Sequence, residues 1–396
     1  MPFLPITLFS ALLHAWIGWR IVPSMASLAA WPATGWLFAS LLLLSAVLMP
    51  MAFLIGRRPD KPMLELITVW LGLLFMGMFS SLFVLTLMRD VILLLAWLAV
   101  WLASLQGLAL LSLDSLQAYS AAAVPVLALA ATGLGFLNAR RTARVVRVDV
   151  PIAGLPTALH GFTVAQISDI HIGTTIRRAY VGRIVSRVNA LRADMVAITG
   201  DLVDGSVADL ALHVAPLADL QSRHGTFFVT GNHEYYSGAE PWIRELRRLG
   251  MQVLINQHVV LQHTGSQPGS AGAALVLAGV ADFGADRFIE AHRSDPQAAL
   301  LGAPADVATR VLLAHQPRSA PAAERAGFQL QLSGHTHGGQ IWPWNHFVRF
   351  QQPFTAGLNR LHRLWVYTNR GTGYWGPPKR FGVPSEITCL RLIVAT

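Results

Sequence analysis

The chain has 396 residues, of which 53% are hydrophobic and 13% are charged, and its formal net charge is +9. This composition is too apolar for an ordinary soluble domain and too polar for a protein that lies wholly within a membrane. A single cysteine, Cys389, excludes an internal disulfide and a thiolate metal site, and we expect it in a late β-strand.

The two parts of the chain differ in charge. Residues 1–138 contain five Lys or Arg and four Asp or Glu, whereas residues 139–396 contain 25 and 17, and 13 of the 14 histidines. The pattern predicts a membrane region followed by a globular domain that is long enough to bury its own core. The positive charge suits phospholipid headgroups and phosphorylated substrates, and we expect no nucleic acid as a partner.

Apolar runs fill the first 138 residues, and several reach the ~20 residues that cross a bilayer. They cover Phe3–Val22, Trp36–Ile55, Leu64–Leu87, Val91–Leu113 and Ala121–Leu137. Basic clusters at 57–61 and 140–147 favour an even number of spans between them, because basic loops face the cytoplasm. We therefore predict four spans, with Leu64 to Trp97 as one long helix and residues 103–118 as an interfacial stretch. Five spans, which would place the following domain outside, are the alternative.

Few ionisable residues fall within the predicted spans. His14 and Glu65 are two of them, and we expect both near helix ends, where a polar group reaches the interface. The runs carry no polar stripe, which disfavours a transporter or channel. We predict an anchor at 1–138, a basic linker at 139–155 and a hydrolase domain at 156–396.

After Pro151 the pattern changes to short apolar runs that each end in a polar cluster. The clusters are SDIHIG at 168–173, GDLVDG at 200–205, GNHEYY at 231–236, His315, and SGHTHGG at 333–339. Helix-like stretches lie between several of them, so the pattern predicts an α/β fold. Side chains that follow strands at their carboxyl ends share one crevice of such a sheet.

The clusters supply oxygen and imidazole donors without any thiolate, a set that suits Mn²⁺, Fe²⁺ or Zn²⁺. The candidate ligands are Asp169, His171, Asp201, Asn232, His315, His335 and His337. Seven ligands are too many for one tetrahedral ion and favour two divalent ions that share a carboxylate. Such a pair generates a hydroxide near neutral pH and clamps the oxygens of a phosphoryl displacement.

The motifs D-x-H, G-D-x-x-D, G-N-H-E, a lone His and G-H-x-H occur in this order over about residues 150–396. This ordered set resembles the calcineurin-like metallophosphoesterase family. The tail at 367–392 is similar to the bacterial branch that carries N-terminal transmembrane helices. The resemblance implies a four-layer α/β fold, with two facing mixed β-sheets flanked by helices and the metals at one edge of the sandwich.

The resemblance also implies roles for the motif residues. Three ligands would hold each ion, Asp169, His171 and His337 the first and Asn232, His315 and His335 the second, with Asp201 bridging. His233 would contact the phosphate without binding metal and act as general acid or transition-state stabiliser, and Asp204 would orient it. Glu234 stands where many relatives have Asp, and its role is left open.

These features predict a membrane-anchored phosphohydrolase of the bacterial cytoplasmic membrane, with its catalytic domain in the cytoplasm. The substrate would be a phosphorylated small molecule or a lipid, such as UDP-2,3-diacylglucosamine by analogy within the family. A soluble nucleotide or cyclic nucleotide phosphodiesterase is one alternative. A non-catalytic membrane scaffold is another, although such relatives usually lose ligands and this sequence keeps every one.

The segment at 341–365 alternates aromatic residues with Arg349, Arg360 and Arg363. It has two interpretations, a loop that packs on the sandwich and a membrane-facing lip that admits a lipid phosphate. The eight histidines that match no motif are expected on the surface or in packing positions.

Overall fold

The computed structural model describes residues 3–28, 33–55, 63–106, 108, 112–264 and 272–395. These residues divide into two compact units. The first comprises residues 1–137 with 376–379, and the second comprises residues 138–375 with 380–396. The Glu65 side chain, Gly107 and the basic cluster at 57–61 lie outside the described part.

The first unit is helical. Its helices are α1 (Phe3–Ala26), α2 (Ala33–Ile55), α3 (Met63–Ser104) and α4 (Asp114–Arg140), whose last three residues belong to the second unit. Within the described residues, four helices are long and apolar enough to cross a membrane. Many of their leucine, valine and tryptophan side chains are exposed, which is the arrangement expected of helices solvated by lipid.

Helix α3 is longer than predicted, and residues 103–118 differ in structure from their prediction. Helix α3 is continuous, as predicted, but it runs to Ser104 and therefore measures about 63 Å at 1.5 Å per residue. The prediction of an interfacial stretch over 103–118 is wrong at its end, because α4 begins at Asp114. Asp114 accepts from Ser112 at this start, and its negative charge favours a helix N-terminus.

Buried polar groups hold the helical unit together. His14 was expected near a helix end, but it lies in the middle of α1 and is 4% exposed. Its Nδ1 bonds the Ser10 carbonyl at 2.7 Å, its Nε2 bonds Ser45 Oγ at 2.9 Å, and its ring stacks on Phe79. Both ring nitrogens therefore have partners, which is what burial of an imidazole requires.

A second polar cluster joins α1, α3 and α4. The Arg20 guanidinium forms a two-pronged ion pair with Asp90 at 2.9–3.0 Å. The neighbouring Arg89 is buried and donates to Ser120, Ser24 and the carbonyls of Arg20 and Gln117. Charged groups far from water persist where they pair or bond fully, as these do.

The segment Gly376–Lys379 is separated in sequence from the helices but belongs to their unit. The Lys379 ammonium is buried and donates to the Gly77 carbonyl at 2.7 Å, Ser81 Oγ at 2.6 Å and Thr132 Oγ1 at 3.2 Å. Three oxygen acceptors satisfy its three N–H groups. The absence of a side chain at Gly77 leaves room for the lysine stem.

The second unit contains two six-stranded sheets. The strands are β1 (Arg144–Ile152), β2 (Thr163–Ile167), β3 (Met195–Ile198), β4 (Thr226–Phe228), β5 (Gln252–Val253), β6 (Gln257–His263), β7 (Ala273–Gly279), β8 (Arg310–Leu313), β9 (Leu330–Ser333), β10 (Gly357–Leu361), β11 (Leu364–Thr368) and β12 (Glu386–Val394). The first sheet has the order β1-β12-β2-β3-β4-β5 and the second β10-β11-β9-β8-β7-β6. Both sheets mix parallel and antiparallel pairs.

The predicted basic linker at 139–155 is wrong. Helix α4 extends to Arg140, and β1 pairs in parallel with β12 along its whole length. The sequence Arg144–Ile152 alternates basic or acidic residues with valines, and its apolar positions Val150 and Ile152 are buried between the sheets. Cys389 lies in β12, as predicted.

Helices cover both outer faces, so the unit has four layers. They are α5 (Arg178–Asn189), α6 (Val207–Val214), α7 (Asn232–Ser237), α8 (Ala239–Arg248) and α9 (Ala320–Arg325). One core lies between the sheets, a second beneath α5, α6 and α8, and a third beneath α9. This is the predicted arrangement of two mixed sheets flanked by helices.

Candidate metal centre

The apolar runs that precede the five polar clusters are strands, as the sequence predicts. Strands β2, β3 and β4 are parallel neighbours in one sheet, and β8 and β9 are parallel neighbours in the other. Their carboxyl ends therefore carry the five clusters at one edge of the sandwich.

Three of the predicted first-ion ligands converge on one point. The ligand atoms of Asp169, His171 and His337 all lie within 4.8 Å of one another, and all three residues are buried. The Nε2 atoms of His171 and His337 face each other at 3.0 Å. Asp169 Oδ1 lies 3.5 Å from His337 Nε2.

A second group forms beside it from Asp201, His315 and His335, again with ligand atoms within 4.8 Å. His315 Nε2 lies 3.1 Å from His335 Nδ1. The same His315 nitrogen lies 3.1 Å from Asp201 Oδ2.

Asp201 lies between the two groups. Its Oδ2 atom is 3.1 Å from His315 Nε2 in one group and 3.9 Å from His171 Nε2 in the other. Its other oxygen, Oδ1, accepts from the backbone N–H of His233 at 2.9 Å. One carboxylate oxygen is thus within reach of both ligand sets.

His233 is held by a carboxylate but belongs to neither of these two groups. Its Nδ1 lies 2.6 Å from Asp204 Oδ1, as the resemblance implies. The same oxygen lies 3.1 Å from His171 Nδ1. Asp204 therefore orients two imidazoles. Its contact with His171 is one that the sequence does not indicate.

Hydrogen bonds set the tautomers of two candidate ligands. His171 donates from Nδ1 to Asp204, and His315 donates from Nδ1 to the Thr199 carbonyl at 2.7 Å. An imidazole that binds a metal ion is neutral and carries one proton, so these Nδ1–H bonds would leave each Nε2 lone pair, which points into the centre, for an ion. Metal-bound histidines are held by such outer contacts in proteins generally.

Glu234, whose role the sequence left open, joins two loops. It is fully buried, and its carboxylate accepts from the backbone N–H groups of Gly231 at 2.6 Å, Asp201 at 3.0 Å and Leu202 at 2.7 Å. These bonds fix GDLVDG against GNHE. Glu234 therefore supports the backbone on which Asp201 and Asn232 stand.

Arg380 is a residue that sequence reasoning missed. Its guanidinium is fully buried and donates to the carbonyls of His337, Arg370 and Gly373 at 2.6–3.1 Å. It is in this way bonded to the backbone of a candidate ligand. In the sequence, Arg380 is one basic residue of the glycine-rich tail. Nothing in the composition of that tail distinguishes a buried arginine from one on the surface.

The backbone of the centre is unusual. Five of the seven candidate ligands have positive φ, with Asp169 at 53°, His171 at 56°, Asp201 at 51°, His335 at 71° and His337 at 50°. Left-handed backbone costs a non-glycine residue about 1 kcal/mol or more and is found mostly where function requires it. A Cβ at Gly334 would collide with Ser168 and the Asp169 carboxylate, so only glycine fits there.

Charge and burial together set the pKa values. Burial lowers the pKa of His233, but the Asp201 and Asp204 carboxylates outweigh it and raise this pKa to about 9. Burial also opposes the charge on His315, yet Asp201 raises its pKa well above the usual range. Burial and the neighbouring His315 lower the pKa of His335 to about 3, so this ring is neutral and one of its nitrogens has a lone pair for a metal ion.

The residues fit the metal ions that the motifs imply. Asn232 Oδ1 is a buried oxygen with no hydrogen-bond partner, and it belongs to the predicted second-ion set. A buried unpaired amide oxygen costs about 1–3 kcal/mol unless a donor or cation satisfies it. Together with the facing imidazole nitrogens, this atom is explained by cation binding.

Comparison with known proteins agrees with this arrangement. Residues 162–339 match the model of the family described as calcineurin-like phosphoesterase. A "Transmembrane protein with metallophosphoesterase domain" of Bos taurus is 39% identical over 354 residues, which cover 87% of this chain and 77% of that protein. The chain belongs to the calcineurin-like metallophosphoesterase family.

One more protein and one solved structure are similar to this chain. An uncharacterized metallophosphoesterase of Campylobacter jejuni is 36% identical over 259 residues, covering 64% of each chain. The crystal structure of calcineurin-like phosphoesterase YfkN from Bacillus subtilis has a TM-score of 0.40 at 12% identity and covers 54% of this chain and 82% of that one. The family is one of hydrolases that act on phosphoester bonds with divalent metals. The apolar helices and the bovine relative's name indicate that this phosphoesterase is membrane-associated.

Proposed function

We propose that this phosphoesterase hydrolyses phosphodiester, pyrophosphate or phosphomonoester bonds with two divalent ions. Asp169, His171 and His337 would hold one ion, Asn232, His315 and His335 the other, with Asp201 between them. The observation that supports two ions most directly is the position of Asp201 Oδ2, which lies 3.1 Å from His315 Nε2 and 3.9 Å from His171 Nε2. Mn²⁺, Fe²⁺ and Zn²⁺ all suit these donors.

When bound, two such ions supply charge that polarises phosphoryl oxygens and lowers the pKa of a water nucleophile. The protein's own residues provide orientation and proton transfer. Asp204 holds His233 through Nδ1 and leaves Nε2 for the substrate. From this position His233 stabilises the developing charge on the phosphoryl group and gives a proton to the leaving oxygen.

The membrane arrangement that we propose is four spans in a bacterial cytoplasmic membrane, with the phosphoesterase domain in the cytoplasm. Arg140 ends α4, with Arg141, Arg144 and Arg147 close behind it, and the cluster at 57–61 follows α2. Two helices separate these clusters, so both lie on one side, and basic loops face the cytoplasm.

The substrate class is anionic and is consistent with a lipid-linked pyrophosphate such as UDP-2,3-diacylglucosamine. The net charge of residues 139–396 is positive, which favours phosphorylated ligands. Soluble nucleotides are the competing class. A non-catalytic scaffold is disfavoured because every motif ligand is present in the sequence, and six of the seven form two groups whose ligand atoms lie within 4.8 Å of one another.

The test uses purified full-length protein with Mn²⁺ and bis-p-nitrophenyl phosphate. We expect hydrolysis by the wild type and a loss of at least about a thousandfold in Asp201→Ala, with reduced metal content, because both ions lose a ligand. Asp149→Ala is the control, since Asp149 pairs with Arg391 on the surface.

Unchanged hydrolysis in Asp201→Ala would refute the dinuclear proposal. A wild type that binds well under one equivalent of transition metal would support the scaffold instead.

A further inference from the structure

Most of the large apolar side chains that are exposed in the described part of the globular unit are aromatic. Among its described residues, eleven large apolar side chains are exposed, and eight of them are aromatic. We call these eight the aromatic rim: Tyr236, Phe283, Phe288, Trp342, Trp344, Phe347, Phe350 and Trp375. The other three are aliphatic and lie in other segments.

Part of the rim surrounds His233. The Tyr236 and Trp375 rings lie 5.3 and 5.9 Å from the His233 ring, and Phe288 lies 5.6 Å from Tyr236. The backbone of Trp375 is fixed on both sides by the buried Gln340 amide at 2.9 Å. These rings are therefore exposed on rigid backbone next to the group that would protonate the leaving oxygen.

The rest of the rim follows His337 in the chain. The segment at 341–365 was expected to be either a packed loop or a membrane-facing lip. Residues 357–361 and 364–368 are strands, so they pack in the second sheet. Trp342, Trp344, Phe347 and Phe350 instead stay exposed.

Arginines accompany the rim. The Arg349 guanidinium lies 5.2 Å from the Phe350 ring, and Arg318 lies 5.4 Å from the Phe283 ring. Aromatic rings with a polar or charged neighbour favour the headgroup layer of a bilayer, where the ring meets acyl chains and the cation meets phosphate. The positive sign of this unit adds attraction to anionic lipid.

We propose that the aromatic rim contacts the headgroup layer of an anionic bilayer, and that the substrate is a phosphoester carried by a lipid in that layer. The substrate part rests on the proposed hydrolytic function. The same chain carries four helices that are long and apolar enough to span a membrane, so a bilayer is the surface available to it. Exposed rings of this number would otherwise be a liability in water.

The number of rings in the aromatic rim favours a lipid surface over a nucleobase as the group that the rim binds. A base stacks on one or two rings, and Tyr236 with Trp375 would suffice. The four rings at 342–350 have no part in such a site, whereas a lipid surface contacts all of them. A protein partner would be recognised by the same rings, and the first experiment distinguishes it.

The first experiment measures bilayer contact without activity. Cys389 is replaced by serine in the full-length protein, and Phe350→Cys is labelled with an environment-sensitive fluorophore in nanodiscs of phosphatidylglycerol and phosphatidylcholine. Leu212→Cys is the matched control, because Leu212 is 75% exposed and Phe350 is 74% exposed. Nitroxide lipids should quench the Phe350 label and leave the Leu212 label bright.

Equal quenching at both positions, or none at Phe350, would overturn the rim's contact with lipid. A protein partner on the rim would give no lipid quenching at Phe350 in the purified sample, so that result also counts against the proposal.

The second experiment measures specificity with p-nitrophenyl methyl phosphate and p-nitrophenyl hexadecyl phosphate, which share a leaving group. In nanodiscs, the double variant Phe347→Ser, Phe350→Ser should lose about tenfold in kcat/KM for the hexadecyl ester and keep its rate on the methyl ester. Leu212→Ser should keep both rates.

Equal losses on both esters would mean that the segment supports the centre itself, and no loss on either would mean that the rim does not select lipid. Either result overturns the substrate proposal. If the wild type hydrolyses neither ester, the proposed hydrolytic function is refuted. The quenching experiment then still shows whether the aromatic rim contacts lipid.

Discussion

The polar clusters around His14 and Arg89 in the helical unit differ in hydrogen bonding from the candidate metal centre of the globular unit. In the helical unit, His14 has a partner on each ring nitrogen, and Arg89 donates to four oxygens. In the globular unit, Asn232 Oδ1 has no partner, and the Nε2 atoms of His171 and His337 face each other.

This difference separates two reasons for burying a polar side chain. A group whose hydrogen bonds are complete stabilises and specifies the packing around it. Groups that converge on one point with their lone pairs unshared are costly unless a cation joins them. Bonding state therefore distinguishes the structural histidine in α1 from the candidate ligands.

The largest effect that would sharpen this comparison is expected at His233, which lies in the centre without belonging to either ligand group. His233→Ala should lower kcat about a hundredfold to a thousandfold and leave metal content unchanged, because proton transfer is lost while the ligands remain. Metal analysis and initial rates on the same sample measure both quantities. His213→Ala, which lies outside the candidate ligand groups, serves as control, and a parallel loss of metal would contradict the assignment.

A smaller effect is expected at Glu234, the buried carboxylate of the globular unit whose bonds are complete. Glu234→Gln places an amide donor against backbone N–H donors and should lower the free energy of unfolding by about 1–3 kcal/mol. Chemical denaturation of the full-length protein in detergent measures this change.

The matched control for Glu234 is Glu290→Gln, since Glu290 is exposed and pairs with the exposed Arg293. If Glu234→Gln abolished metal binding while stability stayed the same, Glu234 would belong with the ligands and the comparison would break down.

The smallest effect is expected in the helical unit. His14→Phe keeps an aromatic ring on Phe79 but removes two hydrogen bonds, so the free energy of unfolding should fall by about 1 kcal/mol. Metal content and hydrolysis of bis-p-nitrophenyl phosphate should match the wild type, with Ser45→Ala as the partner variant. A collapse of either quantity would show that α1 takes part in the chemistry.

Much of the centre was predictable because its signals are local. Each polar cluster follows an apolar run, and the pairs Asp169-x-His171 and His335-x-His337 lie within single loops. Residues such as Arg380 and Glu234 were not predictable in role. Their importance comes from bonds to backbone groups that are distant in sequence, and a buried arginine looks like an exposed one in composition.

Some errors have the same origin. Residues 144–152 look like a basic linker in the sequence, because charged side chains interrupt the valines that indicate a strand. They form a strand because they pair with β12, which lies more than two hundred residues later in the chain. His14 likewise does not lie near a helix end, and its bond to Ser45 of α2, which stabilises it in the middle of α1, is a contact that hydropathy does not indicate.

The sequence by itself determined the order of motifs, the chemistry of the donors and the split between apolar helices and a globular domain, since all three are properties of neighbouring residues. Only the tertiary structure decided that Asp201 lies between two ligand groups, that Asp204 contacts two histidines, and that exposed aromatic rings lie beside His233. These facts depend on distances between strands and loops that are far apart in the chain, and the packing of the two sheets sets those distances.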